Sequence, residues 1–124
     1  MLLNIETKQI EPSITVLELS GRFALGREGQ RVQWQVEELV RANVKKVILD
    51  LSRLEQVDSM GVGVIVFCAG RLKQSGGELL IAGAQGFVEQ VLKVTKVDAI
   101  VGMYPTTVAA AEAFSIPGQL GQHA

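Results

Sequence analysis

The feature that most restricts the fold of this chain is a short apolar run at residues 46–51, which reads Lys-Val-Ile-Leu-Asp-Leu. The run is too short for a typical helix, and its branched side chains suit a pleated strand. A continuous apolar strand of this kind is normally covered on both faces, as in the middle of a sheet. Residues 46–51 are therefore predicted to form a buried central strand.

Strand and helix patterns alternate on both sides of this run. Val32, Val36 and Val40 repeat at helical spacing, whereas Leu3 and Ile5 alternate with polar neighbours as in a strand. Further strands are predicted near residues 2–8, at 14–19 and 79–82, and as a short edge strand at 100–104. Helices are predicted at residues 28–43, 59–75, 87–92 and 108–114, and loops at 21–29 and 52–58.

This order predicts an α/β fold with a mixed sheet of four to five strands, in which an N-terminal hairpin precedes βα units packed with about four helices. The chain has 124 residues, a length typical of one domain. The domain is expected to span residues 1–114. Residues 115–124 contain Pro117, Gly118 and Gly121 and are predicted to form a flexible C-terminal tail.

The composition argues against several functional classes. The chain carries 12 basic and 13 acidic residues, so it has no excess of positive charge for direct nucleic-acid binding. The single cysteine, Cys68, allows no internal disulfide and is predicted to be a small core residue in a reducing cytoplasm. The single histidine, His123, stands next to the C-terminus, which argues against a Ser-His-Asp device or a histidine-rich metal site.

The sequence also predicts no membrane insertion and no cofactor. Its longest charge-free apolar stretch, residues 60–70, is far shorter than the roughly 20 residues that span a bilayer. Gly61 and Gly63 lack the third glycine and the lysine of phosphate-binding loops. Asp50, in the central strand, lacks the acidic pair after the first strand that a receiver-type phosphoacceptor needs to hold Mg²⁺. Asp50 is predicted to be a structural residue at a strand end.

Residues 57–63, Val-Asp-Ser-Met-Gly-Val-Gly, break the local rules for a helix start. Each of the two glycines, Gly61 and Gly63, costs a helix about 1 kcal/mol relative to alanine. One explanation is close packing of the helix start against the sheet or a loop. The other is the approach of another protein's backbone to a bare helix surface.

Asp58 and Ser59 precede these glycines, and either side chain suits the N-cap of a helix. Capping is the common role of such a pair. The functional interpretation is that Ser59 has an exposed hydroxyl at the positive end of a helix, where a phosphate would find backbone amides. A third candidate for contact with a partner is Trp34, although packing against a loop is favoured for this residue.

Residues 46–63 resemble the centre of a STAS domain, the family of bacterial anti-sigma factor antagonists. The family pattern is a hydrophobic strand ending in Asp-Leu-Ser, a short loop, and Asp-Ser-(Ser or Thr)-Gly-(Leu or Val)-Gly. Further segments that resemble the family are residues 76–81, 91–97 and 104–111. The resemblance covers residues 3–114.

The resemblance implies that Ser59 is the phosphorylated serine and that Asp58 is the family aspartate. Met60 stands where Ser or Thr is usual, and Ala24 replaces an acidic residue of the family pattern. The partner-binding residues implied by position are Asp58, Ser59, Met60, Gly61, Val62 and Gly63.

By resemblance, the unphosphorylated chain would bind an anti-sigma factor that is a serine kinase of the GHKL ATPase type. The sigma factor would be freed, which regulates transcription indirectly. Phosphorylation at Ser59 would end the binding, and a serine phosphatase would restore it. The chain would be a substrate and not an enzyme. The alternative, kept open by Met60 and Ala24, is a non-switching STAS module of a scaffold or an ABC-type lipid-transport complex.

Overall fold

The computed structural model describes residues 3–11, 13–23 and 27–115. Ala24 and His123 lie outside these ranges, as do residues 116–124 of the predicted tail.

Within the described ranges, five strands and four helices follow the predicted alternating order. They are β1 (Asn4–Glu11), β2 (Ile14–Phe23), α1 (Arg27–Arg41), β3 (Lys46–Val57), α2 (Ser59–Gln74), β4 (Glu78–Ala82), α3 (Gly86–Val94), β5 (Met103–Tyr104) and α4 (Thr107–Ser115), with a 3₁₀ turn at Val97–Ala99 before β5. The strands form one sheet in the order β1-β2-β3-β4-β5. β1 is antiparallel to β2, and every later pair is parallel. The predicted α/β class and the N-terminal hairpin are confirmed.

The central strand is β3, and it is covered on both faces. Val47, Ile48 and Leu49 are all fully buried although successive side chains point to opposite faces. Val47 and Leu49 belong to the larger core cluster with residues of α1, α2 and α3, and Ile48 belongs to a second cluster with residues of α4. None of the helices in the described ranges is long and apolar enough to cross a membrane.

The loops predicted at residues 52–58 and 21–29 are largely wrong, because β3 continues to Val57 and β2 continues to Phe23. These two strands stay paired up to the Phe23–Val57 partners, but their register shifts twice. Each shift places an extra residue in β3, so its inward side chains, Leu54 and Val57, recur every third residue instead of every second. The bulges therefore hide the alternation that would reveal a strand.

The other corrections are smaller. Asp50 lies within β3 and not at a strand end, and its Oδ1 accepts a hydrogen bond from the Ser52 amide at 3.0 Å. The edge strand predicted at residues 100–104 is shorter, since only Met103 and Tyr104 pair with β4. β4 in turn pairs with β3 only as far as Asp50. The last part of β2 and β3 therefore extends beyond the rest of the sheet.

Candidate functional site

The predicted site lies at the tip of the β2–β3 extension, where β3 passes directly into α2. Phe23 and Val57 are the last paired residues of the two strands. The Asp58 amide then donates a hydrogen bond to the Phe23 carbonyl at 3.3 Å. The beginning of α2 is thereby attached to two adjacent strands.

Asp58 is the N-cap of α2. Its backbone is extended, with φ −111° and ψ −174°, and its Oδ1 accepts a hydrogen bond from the Gly61 amide at 3.0 Å. Its carbonyl accepts the first helical hydrogen bond, from the Val62 amide at 2.9 Å. Because Asp58 satisfies the capping role, the Ser59 side chain is not needed for it.

Ser59 is the first residue of α2, and it is exposed. In the part of the chain that the structure describes, its hydroxyl has no hydrogen-bond partner. Met60 beside it is 57% exposed. The unpaired N–H groups of a helix's first turn point outward from its N-terminal end and give that end a partial positive charge. The Ser59 hydroxyl is therefore accessible at a position that tolerates an anionic group.

The two glycines of the site have different causes. A Cβ on Gly61 would lie 2.5 Å from the Phe23 carbonyl oxygen and 2.8 Å from Cγ2 of Val57. At Gly63 a Cβ would meet no atom within 4 Å. Close packing against the sheet explains Gly61, whereas Gly63 leaves the outer surface of α2 bare without any internal reason.

The six predicted residues therefore divide by their position on α2. Ser59, Met60 and Gly63 are exposed, and Gly61 is buried. Asp58 and Val62 are half-buried, and Val62 packs against the larger core cluster.

The sequence interpretation missed the continuation of this exposed surface. Phe67 is 49% exposed on α2, and a Cβ on Gly70 would meet no atom within 4 Å. The prediction that Trp34 packs against a loop is wrong, because its side chain is 63% exposed on α1. The available signal was that Phe67 follows Met60 by two helical turns and lies off the predicted core face.

Among the described residues, no base forms a hydrogen bond that would activate the Ser59 hydroxyl as a nucleophile. Asp58 bonds to a backbone amide and not to the Ser59 hydroxyl. No histidine occurs in the described ranges, and no three His, Cys, Asp or Glu side chains there are grouped to hold a metal ion. Cys68 lies on the buried face of α2, and burial raises the pKa of its thiol to about 12. What the site offers is an exposed hydroxyl at the positive end of a helix.

A sequence model of the STAS domain matches residues 4–110 of the chain. The chain belongs to the STAS domain family, as the motif at residues 46–63 predicts.

Two curated relatives share the same description. A candidate anti-sigma factor antagonist of Thermotoga maritima is 35% identical over 80 residues, which are 64% of this chain and 71% of that protein. A candidate anti-sigma factor antagonist of Bordetella bronchiseptica, BtrV, is 33% identical over 70 residues, which are 56% of this chain and 60% of that protein.

Solved structures agree with the fold. The crystal structure of the Thermotoga maritima protein has a TM-score of 0.79 and 28% identity, and the match covers 87% of this chain and 92% of that chain. The anti-sigma factor antagonist SpoIIAA in its unphosphorylated form has a TM-score of 0.69 and 16% identity, with 90% of this chain and 98% of that chain covered. At that identity, the likeness to SpoIIAA establishes a shared fold only.

Proposed function

We propose that this chain is an anti-sigma factor antagonist that binds its anti-sigma factor through the start of α2. The descriptions of the two curated relatives support this proposal. The observation that carries it is the position of Ser59: its hydroxyl is exposed and without a partner among the described residues, while Asp58 fulfils the cap. Met60 and Gly63 extend the accessible surface next to it.

The proposed partner is a serine kinase of the GHKL ATPase type. Within the complex, the Ser59 oxygen attacks the γ-phosphorus of ATP, the bond to the β-phosphate oxygen breaks, and ADP leaves as the hydroxyl proton is lost. A serine phosphatase returns the hydroxyl by hydrolysis, with water as the nucleophile and inorganic phosphate as the product. The chain itself is a substrate and a binding partner in the cytoplasm, and it performs no catalytic step.

Phosphorylation is expected to leave the isolated domain folded. A phosphate adds a charge of about −1.5 to −2 at neutral pH. The positive end of α2 stabilises a negative group by about 0.3–1 kcal/mol. The neighbouring Asp58 carboxylate opposes this by repulsion, and an exposed phosphate remains hydrated. The two small effects are of opposite sign, so the stability of the free domain changes little.

Inside a complex the same phosphate has a much larger effect. Burying it against a partner surface that offers no matching positive group removes its water, and an unpaired buried charge costs several kcal/mol. Since about 1.4 kcal/mol changes an affinity tenfold, we expect the complex to weaken by at least about 100-fold. The contrast between exposed and buried phosphate is the proposed switch.

The alternative of a non-switching module in a scaffold or lipid-transport complex is less well supported. Met60 is compatible with either role, but the two curated relatives are described as antagonists.

The test begins with two matched baits, the unmodified protein and its Ser59→Asp variant, used to capture partners from the source organism. A GHKL-type kinase should be retained by the first bait and lost from the second. The purified kinase is then incubated with radiolabelled ATP and three proteins: wild type, Ser59→Ala and Ser52→Ala. Ser52 is another exposed serine, on the strand that leads to the site, and serves as the matched control.

The expected result is labelling of wild type and Ser52→Ala and none of Ser59→Ala. Equal capture of the kinase by both baits, or full labelling of Ser59→Ala, would remove Ser59 from the mechanism.

A further inference from the structure

We propose that the partner which binds at Ser59 also packs one amphipathic α-helix against the outer surfaces of α1 and α2. Trp34 of α1 is the central contact residue on this chain. This inference rests on the proposed function and extends the contact surface away from the phosphorylated residue. Trp34, Met60, Gly63, Phe67 and Gly70 make up this surface, which we call the α1–α2 patch.

On α2, the patch consists of two exposed side chains, those of Met60 and Phe67, beside a glycine strip formed by Gly63 and Gly70. Met60 and Phe67 are seven residues apart, and so are Gly63 and Gly70, which places all four on one side of the helix. A Cβ on either glycine would meet no atom of the described protein within 4 Å. Glycine weakens a helix relative to alanine, and no internal contact here requires it. Because the glycine strip has no side chains, the backbone of another helix could approach it closely.

Two contacts fix the alignment of α1 against α2. A Cβ on Gly29 would lie 2.8 Å from Cγ2 of Val64. Further along, the Glu37 carboxylate accepts two hydrogen bonds from the Arg71 guanidinium, at 2.6 and 2.8 Å. The two helices therefore run side by side in a fixed register.

This register brings Trp34 level with Phe67. Positions 29 and 37 of α1 lie beside positions 64 and 71 of α2, so position 33 lies beside positions 67 and 68. Trp34 follows position 33 by about 100° of rotation, which turns it outward. Its exposed fraction of 63% agrees with this direction, and Phe67 is exposed by 49% at the same level. The two aromatic residues flank the outer groove between the helices.

The charges that border Trp34 are already paired with one another. Within the described ranges, Arg31 forms an ion pair with Glu28, and Arg41 forms one with Glu38. On the other side, Arg71 pairs with Glu37. Paired charges of this kind add little net attraction for nucleic acid or for an anionic membrane surface. The complementary occupant is an apolar surface of a protein.

The size of the patch favours a reversible partner over a second copy of this chain. Large side chains offer about 150–250 Å² each, so the exposed fractions of Trp34, Met60 and Phe67 correspond to roughly 300–400 Å². A stable interface needs about 800 Å² on each partner. The patch is too small to hold a dimer by itself, but it supplies the apolar centre of an interface that also covers Ser59.

A single helix fits the dimensions of this surface. Met60 and Phe67 are about 10 Å apart along α2, which is two helical turns. An amphipathic helix with apolar residues at every third or fourth position presents anchors at that spacing. Tryptophan is the residue type most often found to dominate such contacts, which makes Trp34 the expected anchor.

The test uses the purified kinase that was captured with the unmodified protein as bait. The affinity of each variant for this kinase is measured by isothermal titration calorimetry. Trp34→Ala is expected to weaken binding by about 30-fold and Phe67→Ala by about tenfold. Phe87→Ala is the matched control, because Phe87 is 60% exposed on α3, outside the patch, and should change affinity less than about twofold. In the kinase assay, Trp34→Ala should raise KM and leave kcat unchanged.

A second variant separates docking from folding. Gly70→Ala should raise the melting temperature, since alanine favours a helix and the space is open, and yet weaken kinase binding. Wild-type affinity for both Trp34→Ala and Phe67→Ala would overturn the inference while the Ser59 proposal stands. Wild-type affinity for Ser59→Asp would instead remove the proposed function. A wild-type dimer that Trp34→Ala dissociates would assign the patch to a second copy.

Discussion

The inner and outer faces of α2 are both apolar, but only the inner face is covered. On the inner face, Ile65 and Leu72 are completely buried. On the outer face, Met60 and Phe67 remain about half exposed. On the neighbouring helix α1, the exposed side includes the ion pairs Glu28–Arg31 and Glu38–Arg41, and Trp34 is a large apolar residue exposed beside them. One apolar face of α2 therefore belongs to the core of the domain, and the other is the surface that we propose for partner contact.

The two glycines near the start of α2 show the same contrast in a single residue type. Gly61 is required by the backbone of β2, because nothing larger fits beneath the Phe23 carbonyl. Gly63 is required by nothing within the described protein. Identical residues on one helix can thus reflect close packing on one face and, in our proposal, a binding surface on the other.

The largest expected effect separates the two faces by stability. Leu72→Ala should lower the free energy of unfolding by about 2–5 kcal/mol, because it leaves a cavity in the core. Phe67→Ala should change it by less than about 0.5 kcal/mol, because its side chain is half exposed. Urea denaturation of both variants measures the difference. A loss above 2 kcal/mol for Phe67→Ala would show that the outer face also belongs to the core.

The next effect separates the two glycines. Gly61→Ala should destabilise the domain by about 1–3 kcal/mol, since the new Cβ meets a backbone oxygen that cannot move freely. Gly63→Ala should stabilise it by about 0.5–1 kcal/mol, because alanine favours the helix in open space. Thermal and urea unfolding of the pair test this. Effects of the same sign would contradict the contrast.

A pH series examines the inner face through Cys68. Burial raises the pKa of its thiol from 9.0 to about 12, so the folded state holds the protonated form. The stability linked to this thiol is fully present below pH 9 and is lost as the pH rises from 9 toward 12. Between pH 8 and pH 10, wild type should lose about 1 kcal/mol more than Cys68→Ala. Parallel stability curves for the two proteins would contradict a buried thiol.

An effect of similar size concerns the N-cap of α2, which leaves the Ser59 hydroxyl without a capping role. Asp58→Ala should lower stability by about 1 kcal/mol, because the Gly61 amide loses its acceptor. Asp58→Asn should retain most of that stability, since an amide oxygen also caps. Denaturation midpoints of the two variants provide the measurement. Equal losses would mean that the charge of Asp58, and not its hydrogen bond, stabilises α2.

The sequence could predict those structural features that are determined by residues close together along the chain. The order of strands and helices follows from periodicity, and an N-cap at Asp58 or Ser59 follows from a motif of a few neighbouring residues, of which the structure selects Asp58. The extension of β3 to Val57 could not be predicted, because the bulges arise from pairing with β2 and break the alternation.

The different roles of the residues within the site could not be predicted from the sequence either. Gly61 and Gly63 look alike along the chain, and only the distant Phe23 carbonyl distinguishes them. The exposure of Trp34 depends likewise on which side of α1 lies against α2.

The most direct test of the switch compares stability and affinity in one preparation of the protein phosphorylated at Ser59. Its melting temperature should lie within about 3 °C of the unmodified protein, because the helix end and Asp58 act in opposite directions. Its affinity for the captured kinase should fall by at least about 100-fold, since the phosphate loses its water on binding. Phosphorylated protein that binds the kinase as tightly as the unmodified form would contradict the account, and so would one that is unfolded.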